Sequence, residues 1–461
     1  MSEFKTITPI DNSIYFQKEF HSENDVKTTL EKAGTAQKLW AQLSLNDRKS
    51  YIQKFVDELV SHKDEIAKEI SYQMGRPVSQ SGFEIAGFKE RADYMLSIAD
   101  ESLKPFYPEK IDGFERYIEK EPLGIVTILS PWNYPFLTSV NVLIPALLAG
   151  NSVILRHSTQ TPLVAERYKE AFEAIGLPKD IFSILHVSHK DTSTLLADKR
   201  VNGVFFTGSV KGGYVVQEAI KNKFIPCGLE LGGKDPAYVR ADADVENTAI
   251  NLVDGSFFNS GQSCCGIERI YVHESVYDDF IKTFVKETKN YKLGNPLEKE
   301  INLGPMVKTS ASDFVRTQIK DAINAGAKSL VDESLFANSK VGTPYLSPHV
   351  LVDVDHSMSV MTEESFGPVV GIMKVSNDDE AIALMNDSDY GLTASIWTKN
   401  KEKARELSKK IETGTVFMNR CDYLDPALAW TGVKNTGRGV SLSTFGYDQV
   451  TKLKSIHFKE I

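Results

Sequence analysis

Apolar positions fall at helical spacing over 25–43 and again over 50–74, where Ile52, Phe55, Val56, Leu59 and Val60 mark one face. Gly75-Arg76-Pro77 ends that run, and 83–98 reads as a further helix. The stretch 106–122 differs. It is polar with interspersed aromatics and carries Asp112-Gly113 at its middle, which predicts a β-hairpin. From Leu123, short apolar strands at 124–129, 152–155, 181–185 and 203–206 alternate with helical stretches such as 164–175, the pattern of a parallel α/β sheet. After Glu230 the alternation starts afresh, with strands at 235–239, 269–272 and near 391–397 and helices at 276–291 and 311–325. A helix starting near Asp244 carries Val245, Ala249, Ile250, Val253 and Phe257 and runs into Asn259. At 461 residues the chain exceeds what one core organises, so two doubly wound α/β domains are expected, meeting near 231–233.

Composition narrows the function. The net charge is -9 and no basic stretch outweighs the acids, which argues against a nucleic-acid partner. The longest apolar window, 140–155, is broken by Asn141, Pro145, Gly150 and Asn151 and is shorter than the roughly 20 residues of a membrane span, so no membrane partner is expected. Residues 1–11 carry neither a signal-peptide pattern nor an Arg-rich transit pattern, and a cytoplasmic location is the expectation. The cysteines Cys227, Cys264, Cys265 and Cys421 show no CxxC spacing, there is no HExxH, and His186 with His189 reads as a loop pair. Neither a metal site nor a disulfide framework is expected.

Two segments suggest chemistry. Asn259, Ser260 and Gly261 leave the α region easily, so the helix should stop there and present Cys264 and Cys265 on a sharply turned loop. Either thiol alone reads more readily as a small buried hydrophobe. Upstream, Leu229-Glu230-Leu231-Gly232-Gly233-Lys234 places one acid between leucines before paired glycines, which alone could be an edge-strand acid facing water. Residues 206–213, Phe-Thr-Gly-Ser-Val-Lys-Gly-Gly, follow a strand and open a helix, so N–H groups and the helix dipole could face a pyrophosphate, or the glycines could serve packing alone.

Taken together, Glu-Leu-Gly-Gly-Lys and Gly-Gln-Ser-Cys, with Glu230 and Cys264 34 residues apart, resemble the aldehyde dehydrogenase superfamily, in particular its non-acylating NAD(P)-dependent members that oxidise succinate semialdehyde and aliphatic aldehydes. The resemblance implies a Rossmann-like cofactor domain at 1–105 and 123–231 and a catalytic domain at 232–444. It also implies a small β oligomerisation arm at 106–122 and 445–461 that builds a homodimer or homotetramer. It makes Cys264 the nucleophile and Glu230 the base that activates water, with the Asn133 amide of Pro131-Trp132-Asn133-Tyr134-Pro135 and the Cys264 N–H as oxyanion donors. Without the resemblance that pentapeptide is a proline-bounded turn. NAD or NADP would be held by Trp132, Gly208, Ser209, Gly213, Glu230 and Leu231, with Glu364 of Glu-Ser-Phe-Gly-Pro on the nicotinamide ribose and Phe366 beside the ring. The small aldehyde would lie among Tyr134, Cys265, Leu424 and Trp430, with Arg420 available to a distal carboxylate.

Departures from the family pattern carry their own expectations. Arg156-His157-Ser158-Thr159 replaces the usual Lys-Pro-Ser-Glu, so the charge that would repel a 2′-phosphate is gone, Arg156 and His157 could grip one, and NADP should be accepted at least comparably to NAD. Ala429 to Gly437 departs from the usual Pro-Phe-Gly-Gly segment, and Ser441 stands where many members have a second glutamate, which removes any proton relay through it. Two alternatives remain at this level. A CoA-acylating dehydrogenase is disfavoured by Glu230, and a non-catalytic protein on the same fold is disfavoured by the presence of both nucleophile and base.

Overall fold

The computed structural model describes residues 3–460. Its first sheet has six strands in the order Gly437–Arg438, Cys227–Glu230, Val201–Thr207, Ile125–Ser130, Ser152–His157 and Phe182–Ile184. All pair in parallel except the first, which lies antiparallel to Cys227–Glu230. Ile125–Ser130 is buried along its whole length, which is why its apolar residues do not alternate and only Thr127 and Ser130 interrupt them. Glu23–Trp40, closed by a capping box between Ser22 and Asp25, packs on this sheet.

The helical run at 50–74 is two helices, Leu45–Ser61 and Lys63–Met74, broken at His62. Both bury their apolar stripe in one core, so the period continues across a break that the sequence does not reveal. Gly75 then ends the second helix at φ +86, where a Cβ would stand 2.6 Å from the Pro305 carbonyl. An N-terminal hairpin, Glu3–Ile7 with Ile14–Glu19, was not expected from the pattern.

The second sheet has seven strands in the order Lys328–Ser329, His349–Val352, Val369–Val375, Ile267–His273, Asp235–Val239, Thr393–Trp397 and Thr415–Met418. All are parallel except the two-residue edge. His349–Val352, Val369–Val375 and Thr415–Met418 lie outside the strands expected, because short apolar runs between irregular segments carry no period.

The chain crosses between the sheets from Glu230 to Asp235. It also returns: Gly437 pairs with Glu230 and Arg438 with Leu229, so two residues of the span 232–444 belong to the first sheet. The arm is corrected too. Phe114–Pro122 pairs over nine residues with Thr451–Lys459, while the hairpin's other side is reduced to a single bridge from Phe106 to Ile118. Residues 445–450 lie outside this strand pair. They fall largely in the helix Ser443–Gln449, whose Tyr447 hydroxyl donates to the Met95 carbonyl at 2.6 Å, and Ile461 lies outside the described residues.

Among the described residues no helix is long and apolar enough to cross a membrane, and no group of three His, Cys, Asp or Glu side chains is placed to hold a metal.

Candidate active site

The helix Val245–Phe257, capped by Asp244, delivers the thiols. Asn259, Ser260 and Gly261 all adopt positive φ, at 52°, 57° and 69°. Two non-glycine residues in the left-handed region cost free energy that surrounding bonds must offset. Those bonds are present: Ser260 Oγ donates to the Gly304 carbonyl at 2.8 Å, and the Asn259 N–H donates to Gln80 Oε1 at 3.1 Å. Gly261 has no alternative, since a Cβ there would stand 2.2 Å from the Gly367 carbonyl. Arg76, fully buried, ties the surroundings together by donating to Asn259 Oδ1, to Glu84 and to the Asn133 carbonyl. Glu84 in turn accepts the N–H groups of Phe136 and Leu137, an anion at the start of helix Pro135–Leu148. The Asn133 amide donates to the Gln262 carbonyl at 3.3 Å, next to the cysteine loop.

Cys264 and Cys265 open into a cavity of about 410 Å³ together with Glu230, Tyr134, Leu424 and Trp430. Glu230 ends its strand with both carboxylate oxygens engaged: Ser441 Oγ donates to Oε1 at 2.6 Å and Thr207 Oγ1 to Oε2 at 3.1 Å. Burial raises its pKa, and the two hydroxyls and nearby Arg91 oppose that shift. The cavity wall also includes Asp422, which accepts from both Ser263 and Cys265.

On the other side of Glu230 the turn at 206–213 opens helix Val210–Ile220. Ser209 caps it by accepting from the Gly212 N–H, and the Gly208 N–H donates to the Glu230 carbonyl at 3.0 Å, so this turn joins the ends of two strands. A Cβ on Gly213 would stand 2.8 Å from Leu231, and Leu231 lines both the main cavity and a second of about 190 Å³ beside this helix.

The 364–366 loop hangs from a buried pair. Lys234 Nζ lies 2.5 Å from Glu268, whose two oxygens accept the N–H groups of Ser365 and Phe366 at 2.8 and 2.9 Å. This holds Phe366 at φ 51°, with its ring edge-on to Trp132 at 5.6 Å between centroids. Glu364 accepts from the Gly233 N–H at 2.9 Å, and burial with Glu268 alongside raises its pKa to about 7.

Two expected side chains are placed differently. His157 points into the core, 1% exposed, with its ring nitrogens at the Pro135 carbonyl and Thr161 hydroxyl, and burial lowers its pKa to about 3. It is therefore no phosphate donor. Arg420 is exposed and stacks 3.4 Å above the Tyr423 ring, outside the cavity, so it does not meet a substrate carboxylate there. The arginine on the cavity wall with fewer ties is Arg91, which donates to the Leu137 carbonyl and Asn141. Arg156 is the penultimate residue of its strand, with Nε buried and unpartnered among the described residues, and Thr159 is partly exposed two residues beyond the strand.

Sequence reasoning missed Arg91, Asp422 and Glu268. Each was one charged residue among many, and only Arg76, between Gly75 and Pro77 at a helix break, had a recognisable setting.

A cavity between two largely parallel sheets, holding a thiol from a sharply turned loop and a carboxylate from a strand end, is the architecture of an α/β enzyme. The chain belongs to the aldehyde dehydrogenase family, whose profile matches residues 1–456. It is 33% identical over 457 residues to an aldehyde dehydrogenase of Paenarthrobacter nicotinovorans, covering 98% of each chain. It is 30% identical over 433 residues to the succinate semialdehyde dehydrogenase [NAD(P)+] of Escherichia coli (strain K12), covering 94% of this chain and 93% of that one. The solved succinic semialdehyde dehydrogenase of Streptococcus pyogenes, in complex with NADP+, superimposes with a TM-score of 0.94 at 30% identity, covering 99% of this chain and 100% of the other.

Proposed function

We propose that this chain oxidises a small aldehyde to its carboxylic acid with NAD or NADP, through a thiohemiacetal and then a thioester on Cys264. The observation that carries the reading is the placement of Cys264 and Glu230 on one cavity. An aldehyde carbon releases hydride only once it has become a tetrahedral alkoxide, and a thiolate adding to the carbonyl makes one. The Asn133 amide and the Cys264 N–H would hold the developing oxyanion; one such donor is typically worth about 3 to 4 kcal/mol. Glu230 then takes a proton from water as the water oxygen attacks the thioester, the C–S bond breaks, and the acid leaves.

The residues present fit a nicotinamide dinucleotide. Ser209 and the start of helix Val210–Ile220 suit a pyrophosphate, the buried unpartnered Arg156 Nε suits the adenosine side with Thr159, and Glu364, Phe366, Trp132 and Leu231 suit the nicotinamide riboside. When bound, the cofactor accepts the hydride. A CoA acceptor in the second half-reaction is disfavoured because Glu230 lines the cavity, where only a water-using step needs a base.

Tyr134, Leu424 and Trp430 favour an aliphatic chain, and Arg91 keeps a cation on the same wall, so a semialdehyde is included among the substrates. The relatives named as succinate semialdehyde dehydrogenases agree with that range. The paired strands Phe114–Pro122 and Thr451–Lys459 expose Leu453 and Phe458, which suits an arm joining subunits of a cytoplasmic homodimer or homotetramer. The test is initial rates with succinate semialdehyde, straight-chain aldehydes and an amino aldehyde, each with NAD and with NADP. Absence of reduced cofactor from every pair would refute the reading.

A further inference from the structure

One carboxylate oxygen holds both neighbours of the nucleophile. Asp422 Oδ1 accepts from Ser263 Oγ at 3.0 Å and from Cys265 Sγ at 3.0 Å, and those two donors lie 3.6 Å apart. Ser263 and Cys265 flank Cys264 in the chain, so the residues on both sides of it are gathered onto one acceptor. Of the two adjacent sulfurs, only Cys265 makes this tie.

Asp422 is itself a fixed point. It sits at φ 47° in a loop anchored on both sides: a Cβ added to Gly255 would stand 2.5 Å from the Cys421 sulfur, and the Tyr423 hydroxyl donates to Glu90 at 2.9 Å. A side chain locked in this way transmits its position to what it binds. The charges facing the group come from several elements. Arg76 and Arg91 favour the carboxylate, burial opposes it, and Tyr134, Cys264 and Asp235 lie near the Cys265 end.

We propose that Asp422 is the positioning residue of the nucleophile loop and that it singles out Cys264 for reaction, by pinning Ser263 and Cys265 and by keeping the Cys265 thiol protonated. The inference rests on Cys264 being the nucleophile. A thiol that donates to a carboxylate cannot lose its proton without placing two negative charges in contact. The adjacent Cys264 thiol, burial and Asp422 all act in this direction, holding the Cys265 pKa well above the usual thiol range. Two neighbouring sulfurs thus acquire different chemistry from one acid 157 residues away.

The experiment is alkylation of the full-length protein with iodoacetamide from about pH 6 to about 9.5, with each thiol quantified by peptide mapping. Wild type should label Cys264 at least about tenfold faster than Cys265 throughout. Asp422→Asn keeps the shape and the acceptor but removes the charge, so Cys265 labelling should rise with pH while kcat falls only a few-fold. Asp422→Ala removes both, so the two thiols should label within about threefold of each other and kcat should fall about tenfold or more, with KM for the cofactor unchanged. If Cys265 in Asp422→Asn labels as slowly as in wild type at every pH, the role of Asp422 is overturned, and that variant decides even where Asp422→Ala fails to fold. If wild type labels at Cys265 and activity is lost with it, the choice of nucleophile fails instead.

Discussion

Ser441 Oγ donates to Glu230 Oε1 across 2.6 Å, joining two residues 211 apart in sequence. With Thr207 on the second oxygen, the carboxylate has one orientation and its charged form is favoured against the cost of burial. Removing the Ser441 hydroxyl should therefore raise the Glu230 pKa. A base works only when ionised, so in Ser441→Ala the acid limb of the kcat profile should move to higher pH by about one unit. An unmoved limb would mean that Ser441 does not influence the base.

Glu230→Gln should release about one equivalent of reduced cofactor rapidly and then stall, because hydride transfer precedes the step that requires a base. Rapid-mixing absorbance reads this directly. Loss of the burst would place Glu230 in the first half-reaction; undiminished steady-state turnover would remove it from the mechanism.

Cys264→Ala should lower kcat by at least about a thousandfold, whereas Cys265→Ala should retain most of the activity, because one thiol alone occupies the attack position. Steady-state rates of the two variants settle the assignment, and the reverse result shifts the nucleophile by one residue.

Glu364 gives stability a pH dependence with a definite sign. Its folded pKa is raised from the usual 4.5 to about 7. Between these values the unfolded chain releases the proton and the folded chain keeps it, so stability is fully present below about pH 4.5 and is lost as pH rises to about 7. Glu364→Gln should remove that loss and make the cofactor-free protein more stable than wild type at pH 8, by about 3 kcal/mol at most. Its KM for the cofactor should rise. Denaturant midpoints at several pH values check the first point, and a difference that does not grow across this window would contradict it.

On the proposed cofactor site Thr159 would take the place of a glutamate that repels a 2′-phosphate, three residues after Arg156 with its unpartnered Nε. His157 is turned into the core, so on the proposed cofactor site Arg156 and Thr159 are the residues left to act on a 2′-phosphate. NADP should be used at least comparably to NAD, and Thr159→Glu should shift preference strongly towards NAD. The ratio of kcat/KM values with one good aldehyde is the measurement. A wild-type ratio favouring NAD by a hundredfold or more, roughly 3 kcal/mol, would sink the argument.

How much of this was legible in the chain depends on the range of the interactions. The Val245–Phe257 helix with its Asp244 cap, the positive-φ turn at Asn259 to Gly261 and the strand Asp235–Val239 follow from local patterning, and the structure places them where the sequence does. Periodicity and turn residues act over a few positions, so one sequence suffices to read them. The break at His62 and the strands at 349–352 and 369–375 escaped, since nothing local separates them from a continuing helix or an irregular run.

The sequence by itself determined the strands and helices whose pattern is local, and its motifs marked Cys264 and Glu230 as the pair to find. Only the tertiary structure decided that Asp422 holds both neighbours of Cys264, that Lys234 and Glu268 suspend the Glu364 loop, and that Arg420 lies outside the cavity where Arg91 lies within it. These are contacts between side chains tens to hundreds of residues apart, fixed by how two sheets and their loops meet. A charged residue's role is set by its partner, and the partner is chosen by packing.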